Sequence, residues 1–162
     1  MSVLKPGRIL YRNARIVDPA SGHDGPGELL TVGEDIADLG KKLFDSVPGD
    51  VQVVDCDGHV LAPGLVDMRV QIGEPGAEHK ESLRSGGEAA IAGGVTTVVC
   101  LPNTNPVMDD EATLEFVARR ARQIGLAKVF PYAAATKRRE GKERAEMGML
   151  AEAGALDALP AM

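Results

Sequence analysis

Three polar side chains spaced two residues apart are the first candidates for chemistry in this sequence. They are Asp67, Arg69 and Gln71, inside the stretch Leu61-Ala62-Pro63-Gly64-Leu65-Val66-Asp67-Met68-Arg69-Val70-Gln71-Ile72-Gly73-Glu74-Pro75-Gly76. Side chains alternate across a strand, so these three share one side while Met68, Val70 and Ile72 share the other. A polar row beside a Gly/Pro-built loop is how strand-end active sites of α/β folds are made. An amphipathic edge strand with its polar side in water has the same pattern. Spacing alone leaves both readings open.

Other reactive groups are sparse. His23, His59 and His79 are the only histidines, and none stands two or four positions from another, so no local metal clamp exists. They read as solvated or loop-packing side chains. Cys56 and Cys100 lack C-x-x-C spacing and read as free thiols, Cys100 as a small hydrophobe inside a strand. Lys137, Arg138, Arg139, Lys142 and Arg144 form a basic cluster interleaved with Glu140 and Glu143, either a solvated loop or an anion-binding patch. No phosphate-binding loop, G-x-S-x-G elbow or dinucleotide fingerprint appears.

The elements that must position these groups fall into two regions, 1–62 and 63–162. Residues 8–62 are β-rich, with runs at Ile9–Tyr11, Ala14–Val17, Glu28–Val32 and Val51–Val54. Turn signals separate them at Asp18-Pro19, Ser21–Gly27, Pro48-Gly49-Asp50 and Asp57-Gly58, and Asp35–Phe44 is expected to hold a short helix. From Gly64 the pattern becomes strand, helix, strand, helix. A helix is expected over Glu78–Ala92 with Leu83, Ala90 and Ile91 inward, stopped by Gly93-Gly94. Val95–Leu101 reads as a strand buried on both faces. Asp109 or Asp110 caps a second helix carrying Leu114, Val117, Ala118, Ala121 and Ile124 inward, ended by Gly125. Lys128–Ala135 is a third strand and Glu143–Ala153 a third helix. Successive βα units imply a parallel sheet with right-handed crossovers.

Composition narrows the function classes. Hydrophobic residues make up 44 % and charged residues 26 % of 162, a globular balance that argues against disorder. Aromatics at 3 %, no Trp and a net charge of −6 argue against nucleic-acid binding. No apolar run approaches the roughly 20 residues that span a bilayer, and neither a secretory leader nor an oxidising compartment is indicated. A cytoplasmic address follows by default.

Several motifs carry a resemblance. Pro63-Gly64-Leu65-Val66-Asp67, Glu74-Pro75-Gly76 with Glu78-His79-Lys80-Glu81, Ala92-Gly93-Gly94-Val95-Thr96-Thr97, Leu101–Val107, Ala135-Thr136-Lys137 and Glu146–Gly154 together resemble a dihydroorotase of the amidohydrolase superfamily. The resemblance implies a (β/α)8 barrel of TIM type beside a small β-sandwich built from both chain ends, with 1–62 as its N-terminal half. It also implies a first strand reading Asp-x-His-x-His and, after one residue, Arg. The imidazoles hold a catalytic zinc and the arginine grips the substrate carboxylate. Here those positions are Arg69, Gln71 and Gly73. A guanidinium has no lone pair and stays charged. With an effective dielectric near 20, its charge about 4 Å from a divalent ion is opposed by on the order of 8 kcal/mol before screening. Gln71 offers only an amide oxygen, a poor zinc ligand beside imidazole. The expectation is no metal and no catalytic residue in this chain. Asp67 matches the family's strand-one Asp, and without histidines to serve it reads as a structural acceptor. The resemblance makes Asn103 a hydrogen-bond donor to the substrate carboxylate; the alternative is a turn-forming Asn that caps its own backbone.

A closed barrel needs eight strands and usually about 250 residues. Three strands are legible, so the third is expected to leave an open apolar edge, and Leu156–Met162 favours a truncated chain. Three function classes remain. The chain belongs to an active dihydroorotase, interconverting carbamoyl-aspartate and dihydroorotate in pyrimidine synthesis. Or it is a non-catalytic relative that assists aspartate carbamoyltransferase, a partner the resemblance implies. Or it is a small α/β module that self-associates through its open edge.

Overall fold

The computed structural model describes residues 7–159. Contacts divide the chain into two units, Met1–Pro63 and Gly64–Met162.

The first unit is a five-stranded sheet. Its long strand β1 (Arg8–Asp18) pairs antiparallel with β2 (His23–Val32), and β2 with β3 (Asp35–Gly40). On its other side β1 pairs in parallel, first with β4 (Val51–Asp55) and then with β5 (Val60–Leu61). The two apolar runs expected at 9–11 and 14–17 are thus one strand, bulged between Tyr11 and Ala14 with Asn13 at φ 56°. Leu10, Leu30 and Val51 form the core, under Leu43, Phe44 and Val47. Two expectations fail in this unit. Asp35–Gly40 is a strand rather than the start of a helix, because Gly33 at φ 63° makes Gly33-Glu34 a two-residue hairpin loop that returns the chain along β2. The turn expected over Ser21–Gly27 is shorter, since Gly25, Pro26 and Gly27 already pair with Ile16, Arg15 and Ala14.

The second unit holds the parallel sheet. Strand β6 (Leu65–Val70) pairs with β7 (Val95–Cys100), and β7 with β8 (Lys128–Pro131). Helix α1 (Leu83–Ala92) joins the first pair and α2 (Glu111–Ile124) the second. Ile72, Leu83, Cys100, Met108, Val117 and Ala121 pack together between them. The Cys100 thiol is pushed up to about 12 by burial, so this cysteine stays protonated and acts as a packing residue. Asp110 caps α2 by accepting from the Thr113 N–H at 2.8 Å, and Gly125 ends the helix in the left-handed conformation.

Three boundaries differ from expectation here. Helix α1 begins at Leu83, not Glu78, because Ser82 and Ser85 close a reciprocal capping box and residues 73–81 fold as a loop. Ile91 is 44 % exposed, and Leu83 and Gly87, one turn apart, form the buried stripe. The third strand is interrupted at Tyr132 and resumes as β9 (Ala133–Ala134). Along it runs a fourth parallel strand, β10 (Ala158–Leu159). The Ala133 N–H donates to the Asp157 carbonyl at 2.9 Å and the Leu156 N–H to the Pro131 carbonyl at 3.0 Å. The edge expected to stay open after three strands is therefore covered at this end. A two-residue strand leaves no periodicity to read. The third helix, α3 (Met147–Glu152), is also shorter than expected; a turn at Lys137–Arg139 and a loop precede it.

Candidate functional site

All strands of the second unit's main sheet run the same way, so the segments that follow β6, β7 and β9 leave from one end of it. Their residues are the candidates for a site.

Asp67, Arg69 and Gln71 lie in or just beyond β6 and are exposed, with Val70 half-buried and Ile72 buried between and after them. The alternation holds from Arg69 to Ile72. It fails earlier, where Met68 is 51 % exposed and the pairing with β7 shifts register between Asp67 and Val70. Asp67 Oδ1 accepts the Arg69 backbone N–H at 3.0 Å.

Gly73 occupies a closed corner. Its N–H donates to the Glu81 carbonyl at 3.0 Å, and its own carbonyl accepts from Ala77 at 2.6 Å. A Cβ added there would stand 2.4 Å from the Ala77 oxygen and 2.9 Å from the Glu81 oxygen. The backbone at residue 73 thus has no room for any side chain. Gly76 is equally tight against the loop after β7, where a Cβ would meet the Asn105 carbonyl at 2.0 Å, and Asn105 N–H donates to the Pro75 carbonyl at 3.0 Å. These two loops are interlocked through their backbones.

Glu74, beside Gly73, is a residue to which sequence reasoning gave no role. Its buried carboxylate accepts the first N–H of α1, at Leu83, with one oxygen at 2.8 Å. The other oxygen faces Arg120 Nε on α2 at 3.3 Å. One side chain therefore ties the strand-end loop to both helices. A carboxylate at a helix N-terminus meets otherwise unpaired donors and the positive end of the dipole. Only its position in the Glu-Pro-Gly run hinted at it.

Asn103 follows β7, as expected. Its Oδ1 is buried and makes no hydrogen bond. The turn is held by others: Thr104 Oγ1 donates to the Pro106 carbonyl at 2.7 Å and Met108 N–H to the Pro102 carbonyl at 3.2 Å. Asn103 Oδ1 is thus not the backbone cap of its own loop.

The fit to a metal is poor. Arg69 and Gln71 bring no anionic or imidazole donor, and among the described residues no three His, Cys, Asp or Glu side chains come together. His23 and His59 belong to the first unit, where His59 Nδ1 lies 2.7 Å from the Cys56 carbonyl; His79 is exposed in the loop after β6. No helix among the described residues is long and apolar enough to cross a membrane.

Comparison with known proteins adds the family. A profile described as dihydro-orotase-like matches residues 58–159. The chain is 46 % identical over 161 residues to a dihydroorotase of Anaplasma phagocytophilum (strain HZ), covering 95 % of this chain and 36 % of that protein. It is 44 % identical over 149 residues to one of Syntrophus aciditrophicus (strain SB), covering 92 % and 35 %. The chain thus spans about a third of the length of the curated relatives it matches. In structure it resembles the L-hydantoinase (dihydropyrimidinase) of Arthrobacter aurescens, with a TM-score of 0.77 at 21 % identity over 93 % of this chain and 32 % of that one. The D-hydantoinase of a Thermus species gives 0.59 at 24 % identity, covering 89 % and 30 %. Its fold is therefore a β-rich N-terminal unit followed by the first βα units of an amidohydrolase-type (β/α)8 barrel.

Proposed function

Because the chain belongs to the dihydroorotase-like family, we propose that it serves pyrimidine biosynthesis as a non-catalytic dihydroorotase-like protein. The observation that carries this reading is the first barrel strand: Arg69, Gln71 and Gly73 stand where the family pattern has two metal-binding imidazoles and a carboxylate-gripping arginine. No hydrolytic step is assigned to these residues. What the chain offers in this reading is the scaffold, including the Asn103 loop, where the side-chain oxygen is buried without a hydrogen-bond partner. An assembly role beside aspartate carbamoyltransferase gives such a scaffold a use without turnover, since it asks only for a stable surface. Self-association is the alternative partner, supported by the exposed Leu65, Val66 and Met68 on β6.

The test uses the protein expressed from its complete reading frame. Metal analysis is expected to find zinc well below one ion per chain, and neither ring closure of carbamoyl-aspartate nor hydrolysis of dihydroorotate is expected. Stoichiometric zinc with turnover would establish an active dihydroorotase instead. Co-purification with aspartate carbamoyltransferase, measured by light scattering, distinguishes the assembly role from a self-associating chain.

A further inference from the structure

The segment after β9 plays no part in the reading above. From Lys137 to Arg144 it carries five basic side chains against two carboxylates, in a chain whose net charge is −6. Both carboxylates are already engaged, Glu143 by Lys137 and Glu140 by Lys142 at 3.3 Å. Arg138, Arg139 and Arg144 make no ion pair or side-chain hydrogen bond among the described residues. Arg138 and Arg144 are exposed, and Arg139 is half-buried.

The backbone singles out the same arginines. Arg138 sits at φ 54°, ψ 12° and Arg139 at φ 59°, a left-handed pair that side chains bearing a Cβ adopt at a cost. Two residues on, the chain uses glycine for the same conformation, Gly141 at φ 71°. Conformation alone would favour glycine at 138 and 139 as well; arginines stand there despite the strain. Strain persists only where the surroundings over-determine it, and here they do. Arg138 N–H donates to Asp109 Oδ2 at 2.5 Å, Gly141 N–H to Thr136 Oγ1 at 3.1 Å and Lys137 N–H to the Glu143 carbonyl at 2.8 Å, while Thr136 bridges Arg144.

We propose that the Lys137–Arg144 loop is a preorganised docking surface for the acidic face of a partner protein. Carboxylates match the planar fork of arginine, and arginine is enriched at protein interfaces. A free phosphate is the poorer fit: the adjoining cleft sets Asp109 and Asp110 against Lys137 and Arg138, without excess positive charge. Nucleic acid is the poorer fit for a chain of net −6 with 3 % aromatics. The proposal is independent of whether the first-strand site is active.

The experiment measures anisotropy of a labelled Glu-rich peptide with the protein from its complete reading frame, at low ionic strength. The R138E/R139E/R144E variant is expected to weaken binding roughly tenfold or more, and the R119E/R122E variant on α2 to leave it within about twofold. Equal loss in both variants, or no binding by the unaltered protein, overturns the proposal. So does tighter binding of duplex DNA than of peptide, or complete displacement of the peptide by millimolar inorganic phosphate. The R138G/R139G variant separates charge from fold: it is expected to raise Tm while losing affinity. A fall in Tm would mean that the arginines serve the fold, and would also overturn it.

Discussion

Two loops leave the same end of the parallel sheet and are built on opposite plans. The loop after β6, residues 73–82, is closed by backbone: Gly73 and Gly76 lie against carbonyl oxygens, and the one buried side chain, Glu74, is used as a latch. The loop after β9, residues 136–145, is also pinned by hydrogen bonds, yet it holds arginines in a conformation suited to glycine and points charge outward. Glycine appears where space is short in the first loop, and arginine appears where glycine would be easier in the second. The first is arranged to exclude side chains, the second to display them.

The comparison breaks first at Gly73. Gly73→Ala puts a methyl group 2.4 Å from a backbone oxygen that is itself fixed by the Ala77–Gly73 hydrogen bond. The loop must open to admit it, at a cost of roughly 2–3 kcal/mol, and Gly73→Arg costs at least as much. Chemical denaturation should show a lower midpoint at unchanged slope. Introducing imidazoles, in R69H/Q71H, should leave stability close to that of the unaltered protein, because both positions are exposed. Adding G73R to that pair should destabilise it, since residue 73 has no room for a side chain. In the second loop the sign reverses: R138G/R139G should gain up to about 1 kcal/mol from each relieved residue, less the entropy of a freer unfolded chain. A G73A protein as stable as the original would remove the distinction between the loops.

Glu74 comes next. Glu74→Ala strands the Leu83 N–H at the start of α1 and leaves Arg120 without its carboxylate, a loss of about 2 kcal/mol once the half-exposed arginine is discounted for solvent screening. Arg120→Ala should cost less, since Glu74 keeps its bond to the helix. Hydrogen exchange at the Leu83 and Ser85 amides reads the latch directly: it should quicken in E74A and change little in R120A. Equal acceleration in both would place the latch in the ion pair instead of the helix terminus.

These features were unequally legible in the sequence. Leu114, Val117 and Ala121 recur at helical spacing between a capping Asp110 and a terminating Gly125, and local and tertiary preferences agree there. Asp35–Gly40 was misread because strand formation depends on its partner β2 and on a glycine hairpin, both outside the segment itself. At Ile91 the helical spacing is right, yet the side chain is exposed, because the buried stripe of α1 runs through Leu83 and Gly87. The site divides in the same way. That Arg69 and Gln71 bring no imidazole to this row is visible in residue types alone. That residue 73 admits no side chain depends on where Ala77 and Glu81 turn their carbonyls, which no single position encodes. Nor does an Arg-Arg pair announce a left-handed backbone, because arginine has no preference for it.

The smallest expected difference is in how the two loops respond to pH. The Gly76 N–H, and then Glu78's own N–H, hold the Glu78 carboxyl below its ordinary value near 4.5. A lowered carboxyl pKa contributes stability that is present above the unfolded value and lost as pH falls through the folded one. In the second loop, hydrogen bonding and charge attraction to Glu143 hold the Lys137 ammonium above its ordinary value near 10.5. That contribution is full below the unfolded value and lost as pH rises through the folded one. Acid should therefore loosen the first loop and alkali the second. Both groups are exposed and screened by salt, so each effect belongs to local exchange rates rather than to the global transition. Amide exchange is therefore the measurement. Once corrected for intrinsic chemistry, protection at Gly76 should fall on the acid side and be pH-independent in E78Q. Protection at Gly141 and Ala145 should fall on the alkaline side and be pH-independent in K137M. If one substitution flattened both limbs, the loops would open as a single unit, and the contrast between a sealed and a displayed loop would describe one cooperative element.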